Sequence, residues 1–244
     1  MLYIIGIGLG NEKDISINGL ESVRSCDVVY LENYTSKLMF KIEDLEKLTG
    51  KKIILADREL VESGEEILKN ANEKNVALLV KGDVFSATTH TDLYLRAVKQ
   101  GIKTRIIHNT SILTAIGDTG LSLYKFGKTA SIPYHYRNVK TPIEIYENNK
   151  EMHTLFLLDL NPKENKYINY KEGLKYLLEN SQGKISPNNK VVICAALGTE
   201  EQIIKYGKIN ELLDIEINVY PQCIIIPGKL HFMEEEVLEL YKIQ

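Results

Sequence analysis

The chain has no tryptophan, only six prolines, and three cysteines spread over 244 residues. Cys26, Cys194 and Cys223 are odd in number and far apart, which excludes a disulfide framework and a CxxC metal or redox site. They read as buried core thiols. Long hydrophobic runs are also missing. The longest apolar stretches, 76–80 and 191–197, fall far short of the roughly 20 residues that span a bilayer. The opening Met1-Leu2-Tyr3-Ile4-Ile5 enters an apolar run at once, without a basic region and small-residue cleavage site, so a cytosolic protein is expected. A formal net charge of -3 gives no global attraction to nucleic acid or to anionic membranes. GxxxxGKS/T, HExxH and GxSxG patterns and any clustered Cys/His set are absent too, which leaves phosphate-loop, zinc-protease and serine-hydrolase chemistries without their core residues.

What is present is ordinary for a globular protein: 44% hydrophobic and 26% charged residues, in a length that suits one large or two small domains. The first half alternates strand-like runs at 2–8, 27–31, 52–55, 76–81 and 103–108 with helical spacings. Those spacings are Ile17, Leu20 and Val23, then Ile67, Leu68 and Ala71, then Leu93, Ala97 and Val98. This is the rhythm of a parallel α/β layer with crossover helices. The second half has strands at 129–132, 154–159, 191–196 and 223–226, helices at 170–179 and 232–241, and a surface loop at 181–189. The alternation falters near Asn109, and residues 110–117 suit a linking helix. Two α/β domains are expected, residues 1–110 and 111–244.

Ligands of open α/β sheets bind beyond the carboxyl ends of strands, and two peptides there stand out. Gly6-Ile7-Gly8-Leu9-Gly10-Asn11 permits a tight turn and a close approach of ligand to backbone. With Glu32 at the end of the next strand it is similar to a dinucleotide fingerprint, although Asn11 occupies the place of the third glycine. It reads as a cofactor loop or a plain turn. The second peptide, Gly82 to Leu93, is dense in directed hydrogen-bonding groups. Asp83 suits hydroxyls or an ammonium group, Thr88 or Thr89 suits a helix cap, and His90 either titrates or is simply packed. The other histidines, His108, His135, His153 and His231, are scattered beyond any metal-ligand spacing and read as structural. The run Glu234-Glu235-Glu236 reads as a solvated helix face.

LYIIGIGLGNEKDIS, VVYLENYTS, GDVFSATTHTDL, IIHNTSI, GLSLYKFGKTASIP, HTLFLLDL and IIIPGKLHFMEEEVL follow one another along almost the whole chain. Together they resemble the diphthine synthase family of the class III, tetrapyrrole-methylase-like, S-adenosylmethionine-dependent methyltransferases. The most specific of them is GD followed by ATTHTDL.

The resemblance implies two α/β domains of the tetrapyrrole methylase type with S-adenosyl-L-methionine in the cleft between them, and a cytoplasmic homodimer. It implies a protein substrate, translation elongation factor 2, repeatedly methylated on the 3-amino-3-carboxypropyl group of a modified histidine in diphthamide biosynthesis. Three methyls go to the amine, and eukaryotic members add a fourth as an ester. The family's cofactor contacts fall on Leu9, Asp83, Ser86, Ser111, Ile112, Leu158, Leu197 and Gln222. Relatives usually carry histidine at the last position, and often proline where Val84 stands. No metal is implied, and no residue is an obvious general base. The competing readings are a small-molecule methylase of the same fold and an NAD-dependent oxidoreductase resting on the glycine loop and Glu32. A purely binding role would leave the GD loop unexplained.

Overall fold

An unbroken apolar run such as Val76-Ala77-Leu78-Leu79-Val80 is stable as a strand only when both its faces are covered. The computed structural model, which describes residues 1–36, 38–134, 139–161, 164 and 166–243, buries all five of these residues. Two compact units follow one another in the chain, Met1–Leu113 and Thr114–Gln244.

In the first unit, β1 (Leu2–Gly6), β2 (Val28–Glu32), β3 (Ile53–Ala56), β4 (Val76–Val80) and β5 (Thr104–Ile107) form one sheet in the order β3-β2-β4-β1-β5. Every ladder is parallel, so each connection must cross over. The crossovers carry α1 (Ile17–Arg24), α2 (Ile42–Thr49), α3 (Arg58–Ser63), α4 (Glu65–Glu73) and α5 (Thr91–Lys99). Strand side chains alternate between two cores. Leu2, Ile4, Leu78 and Val80 pack with Val61, Ile67, Leu68, Leu93 and Ala97 of α3, α4 and α5. Ile5, Leu31 and Leu79 pack with Val23 of α1 and Leu45 of α2 on the other face. Full burial of each such Leu or Ile contributes about 1.5–3 kcal/mol. Ser16 starts α1 by accepting from the Gly19 N–H at 3.1 Å, and left-handed Gly50 and Gly64 end α2 and α3.

The chain leaves the first unit within α6 (Ile112–Ala115). The second unit contains β6 (Ala130–Ile132), α7 (Thr141–Glu147), β7 (Thr154–Leu158), β8 (Leu160–Asn161), β9 (Lys166–Tyr167), α8 (Tyr170–Asn180) and β10 (Lys190–Ala195). It ends with β11 (Ile203–Lys208), α9 (Ile209–Leu213), β12 (Gln222–Ile226) and α10 (Phe232–Leu240). Its main sheet runs β11-β10-β12-β7-β6, with β6–β7 the one parallel ladder and the others antiparallel. The short β8–β9 hairpin stands apart from it.

Several expected elements shift. The first strand ends at Gly6 rather than Gly8, because the chain turns there to meet another loop. Edge strand β11 is not evident in the sequence, since its lysines and Gly207 interrupt the apolar pattern. Ile17 and Val98 match helical spacing yet are exposed. No helix among the described residues is long and apolar enough to cross a membrane.

Candidate functional site

Adjacent strands β1 and β4 send their following helices, α1 and α5, to opposite faces of the sheet. Their carboxyl-end loops therefore part at a topological switch point, where open α/β sheets form a ligand crevice. The loops also grip each other. The Gly8 N–H donates to the Gly82 carbonyl at 3.2 Å, and the Gly82 N–H donates back to Gly8 at 2.9 Å. Both residues have φ near +77°, at 76° and 78°, which glycine alone adopts without penalty. Gly6 has a different constraint. A Cβ there would stand 2.6 Å from the Gly82 carbonyl oxygen and 3.0 Å from Asn109 Cβ. Its bareness lets the loops after β4 and β5 meet across the end of β1.

Asp83 joins them. Its Oδ1 accepts from the Phe85 N–H and the Ser86 hydroxyl, both at 3.2 Å. Its Oδ2 accepts from His108 Nδ1 at 2.8 Å and from the Asn109 N–H at 3.1 Å. A carboxylate offers about four acceptor sites, so this one is saturated. Burial opposes its charge, but the Asn109 N–H, the His108 ring and the Phe85 N–H outweigh burial and hold Asp83 below the usual carboxylate value. Asn109 continues the junction, donating to the carbonyls of Gly6 at 3.0 Å and Asp14 at 2.9 Å. Leu9 and Ser111 border Gly82, with Leu9 Cδ2 3.6 Å and Ser111 Cα 3.8 Å from a Cβ built there. Ile112 follows as the first residue of α6.

Lys81 is a member of this site that the sequence reading missed. Its buried ammonium donates to the carbonyls of Leu9 and Gly10 and so pins the glycine loop to β4. Burial pushes it down to about 8, with Asp14 opposing. A lysine beside the GD pair, closing a hydrophobic strand, was the available signal.

In the second unit three expected positions converge at one end of the sheet. Leu158 is the last residue of β7, Gln222 the first of β12 and opposite Ala195, and Leu197 lies just beyond the end of β10. The Gln222 amide is fully used by backbone. Its Oε1 accepts from the Tyr170 N–H at 2.8 Å, satisfying the open start of α8, and its Nε2 donates to the Ile217 and Val219 carbonyls at 2.8 and 2.9 Å. Among the described residues Ala87, Gln182 and Ala196 are the non-glycine residues with positive φ, 60°, 53° and 46°. Ala87 directly follows Ser86, and Ala196 directly precedes Leu197. Such strain gathers at ligand loops.

The remaining expectations fare differently. Glu32 is buried and its carboxylate is taken by the Lys81 N–H at 3.2 Å and the Thr35 N–H at 3.1 Å, so it is not presented to a ribose. Neither Thr88 nor Thr89 caps α5: the cap position is His90, without a side-chain bond, and the Thr88 hydroxyl donates to the Val84 carbonyl at 2.6 Å. His90 is a packed polar residue, with Nδ1 on that same carbonyl at 3.2 Å. His153 and His231 have structural partners, whereas the His108 ring is 67% exposed and paired with Asp83. His135 lies outside the described residues. Glu235 and Glu236 are solvated, but Glu234 is buried between Lys125 and His153. No group of three His, Cys, Asp or Glu residues among those described is placed to hold a metal ion.

The model of the Tetrapyrrole (Corrin/Porphyrin) Methylases matches residues 1–213. The chain belongs to this family. It is a methyltransferase whose donor is of the S-adenosylmethionine type. Over its full length the chain is 40% identical to the diphthine methyl ester synthase of Schizosaccharomyces pombe, covering 95% of that protein. It is 40% identical to the human protein of the same name, again covering all of this chain and 95% of the other. A crystal structure of diphthine synthase superposes with a TM-score of 0.92 at 36% identity, covering 99% of this chain and 95% of that one. Membership in the methylase family leaves the oxidoreductase reading without its support, as the fate of Glu32 already indicates.

Proposed function

We propose that this enzyme methylates the 3-amino-3-carboxypropyl-histidine of translation elongation factor 2, three times on the amine and once on the neighbouring carboxylate. The observation that carries the reading is end-to-end likeness, at about two identical residues in five, to proteins named for the methyl ester. A homodimer in the cytoplasm belongs to the same reading.

The residues present fit the donor S-adenosyl-L-methionine. Gly8 and Gly82 keep side chains away from the switch-point crevice, and strained Ala87 adjoins it. Leu9 and Ile112 of the first unit offer apolar surface for the adenine and methionine carbons, while Leu158 and Leu197 stand together at one end of the second unit's sheet. Ser111 supplies a hydroxyl group and backbone at the start of α6. Asp83 acts by fixing Ser86 and the loop backbone, since its own acceptors are occupied. Gln222 acts likewise by fixing the sheet end and the start of α8. Bound donor supplies a methyl on a positive sulfur, which an amine displaces in line. Holding two reactants at attack distance lowers a barrier by up to about 7–11 kcal/mol.

The test is intact mass and fragmentation of elongation factor 2 bearing the unmethylated side chain, followed over time with enzyme and donor, before and after mild base. Three base-stable methyls and one base-labile methyl are expected. No transfer to this substrate, with transfer to a corrin or porphyrin precursor, overturns the reading in favour of a small-molecule methylase. Calorimetry gives a second check: S-adenosyl-L-homocysteine binds once per chain, and more weakly to Asp83→Ala.

A further inference from the structure

The amine of an amino acid side chain is an ammonium ion near neutral pH, and an ammonium has no lone pair with which to attack a methyl group. Each of the three N-transfers therefore needs a proton acceptor. Asp83 and His108 form a carboxylate–imidazole pair beside the switch-point loops. Asp83 follows β4 and His108 follows β5, and they meet across the end of β1 with Nδ1 and Oδ2 2.8 Å apart. An ionised carboxylate only accepts hydrogen bonds, so the hydrogen between them sits on Nδ1. In the neutral ring, Nε2 then keeps its lone pair. The ring is 67% exposed, while the Asp83 side chain is 11% exposed. The carboxylate is thus rigidly seated by its three other donors and orients a ring whose outer nitrogen is presented outward. The Phe85 ring meets the imidazole edge-on, with centroids 6.2 Å apart, and limits its rotation. His108 also lies three residues before Ser111 on the same carboxyl-end loop.

We propose that His108 is the catalytic general base for methylation of the amine, with Asp83 as its positioning residue. This rests on the functional reading above. The Nε2 lone pair takes a proton from the substrate ammonium, giving a neutral amine and an imidazolium. The freed amine pair forms the N–C bond as the C–S bond breaks and its pair goes to sulfur, and the imidazolium returns its proton to water before the next round. The ester step differs. A carboxylate already has its lone pairs and no proton to lose, so it needs no base.

That difference separates proton transfer from simple positioning. His108→Gln should slow amine methylation by about 100-fold or more, and should change ester transfer to pre-trimethylated elongation factor 2 by less than about tenfold. Imidazole added to His108→Gly should restore part of the amine rate. A melting curve like that of the wild type shows that each variant folds. Independently of turnover, nitrogen-15 spectra of the free wild-type protein should show the hydrogen of the His108 ring on Nδ1, and Asp83→Asn should lower that population. Equal loss of amine and ester transfer without imidazole rescue, undiminished amine methylation in His108→Gln, or a neutral ring with its hydrogen on Nε2 and none on Nδ1 each overturns the proposal. If the wild-type enzyme itself transfers no methyl to elongation factor 2, the functional reading fails instead. If it methylates the amine but forms no ester, the rescue and the spectra decide the role of His108.

Discussion

Asp83–His108 in the first unit and Glu234–His153 in the second join the same two chemical groups at similar distances, 2.8 and 3.1 Å. Their surroundings make them different objects. The His153 ring is fully buried, and both its nitrogens are committed: Nδ1 accepts from the Gly228 N–H at 3.0 Å, so Nε2 carries the hydrogen and donates to Glu234. Glu234 also accepts from Lys125 and from the N–H groups of Ser122 and His231, at 2.9 and 2.8 Å. It ties the start of α10 to the segment before β6 and, through His153, to the residue before β7. Nothing in that cluster is left to act on a substrate. In the first unit the carboxylate is equally saturated, but one imidazole nitrogen is open. A carboxylate–imidazole pair is chemistry only where a lone pair is left over; otherwise it is a clamp.

The largest effect should come from breaking the clamp. Glu234→Ala takes the carboxylate from a buried imidazole, two N–H groups and the partly exposed ammonium of Lys125, which keeps the Lys229 carbonyl, and removal of one partner from a buried ionic cluster costs about 3–5 kcal/mol. Urea unfolding should show that loss. A change under about 1 kcal/mol would mean that water replaces the carboxylate, and that the two pairs are less different than their burial implies.

Next in size is Gly6→Ala, which acts on the other pair. The added methyl meets the Gly82 carbonyl oxygen at 2.6 Å and must push the loops after β4 and β5 apart. Overpacking of this kind costs about 1–3 kcal/mol. The sharper outcome is local: the Asp83–His108 hydrogen bond and the binding of S-adenosyl-L-homocysteine should both weaken, while the ring resonances of His153 stay in place. Parallel shifts at both histidines would show that the two sites do not respond separately.

The contrast between the pairs also marks what was legible in the sequence. The parallel layer was readable because strands covered on both faces are continuous apolar runs, and because glycines and GD mark the ends of β1 and β4. The two loops that meet at the switch point were readable from the motifs GIGLG and GDVFS. Glu234 was misread because three successive glutamates look solvated, and its partners Lys125 and His153 are distant in sequence by 109 and 81 residues. His108 was set aside for the same reason. Its partner is 25 residues away, and only the strand order β4-β1-β5 brings them together. Lys81 was hidden by its place at the end of a strand, where a lysine usually extends into solvent.

Acid should weaken the clamp. Burial lowers His153, Lys125 adds to that, and Glu234 opposes it; protonating Nδ1 would also set it against the Gly228 N–H. The unfolded chain takes up a proton at the ordinary histidine value of 6.5, which the folded ring refuses until lower pH. Stability therefore falls as pH drops below about 6.5, by at most about 1.4 kcal/mol per pH unit for one proton. Burial works against the charge of Glu234, but Lys125, the two N–H groups and His153 lower it further; its contribution is complete above the ordinary 4.5 and is lost as pH falls through the lower folded value. Melting curves between pH 7 and 5 should show a slope that His153→Gln reduces. An unchanged slope in that variant would assign the acid sensitivity to another group.

The smallest effect concerns the end of the second sheet, where Gln222 stands at a position for which the family resemblance led to an expectation of histidine. The glutamine amide makes three bonds to backbone, one accepted and two donated. A neutral imidazole has one acceptor and one donor nitrogen, so Gln222→His can keep at most two of them. Either the Ile217 or the Val219 carbonyl loses its partner, or the start of α8 does, and one neutral hydrogen bond contributes about 0.5–1.5 kcal/mol. The cost should sit near the bottom of that range if the lost partner is the Val219 carbonyl, whose bond is the more exposed. Methyl transfer should continue, because the glutamine holds structure and has no proton to exchange. Paired melting curves and progress curves of wild type and variant test this. A large rise in turnover with a new dependence on pH near neutrality would place proton handling in the second unit, and would remove the asymmetry between an open pair in one unit and a closed one in the other.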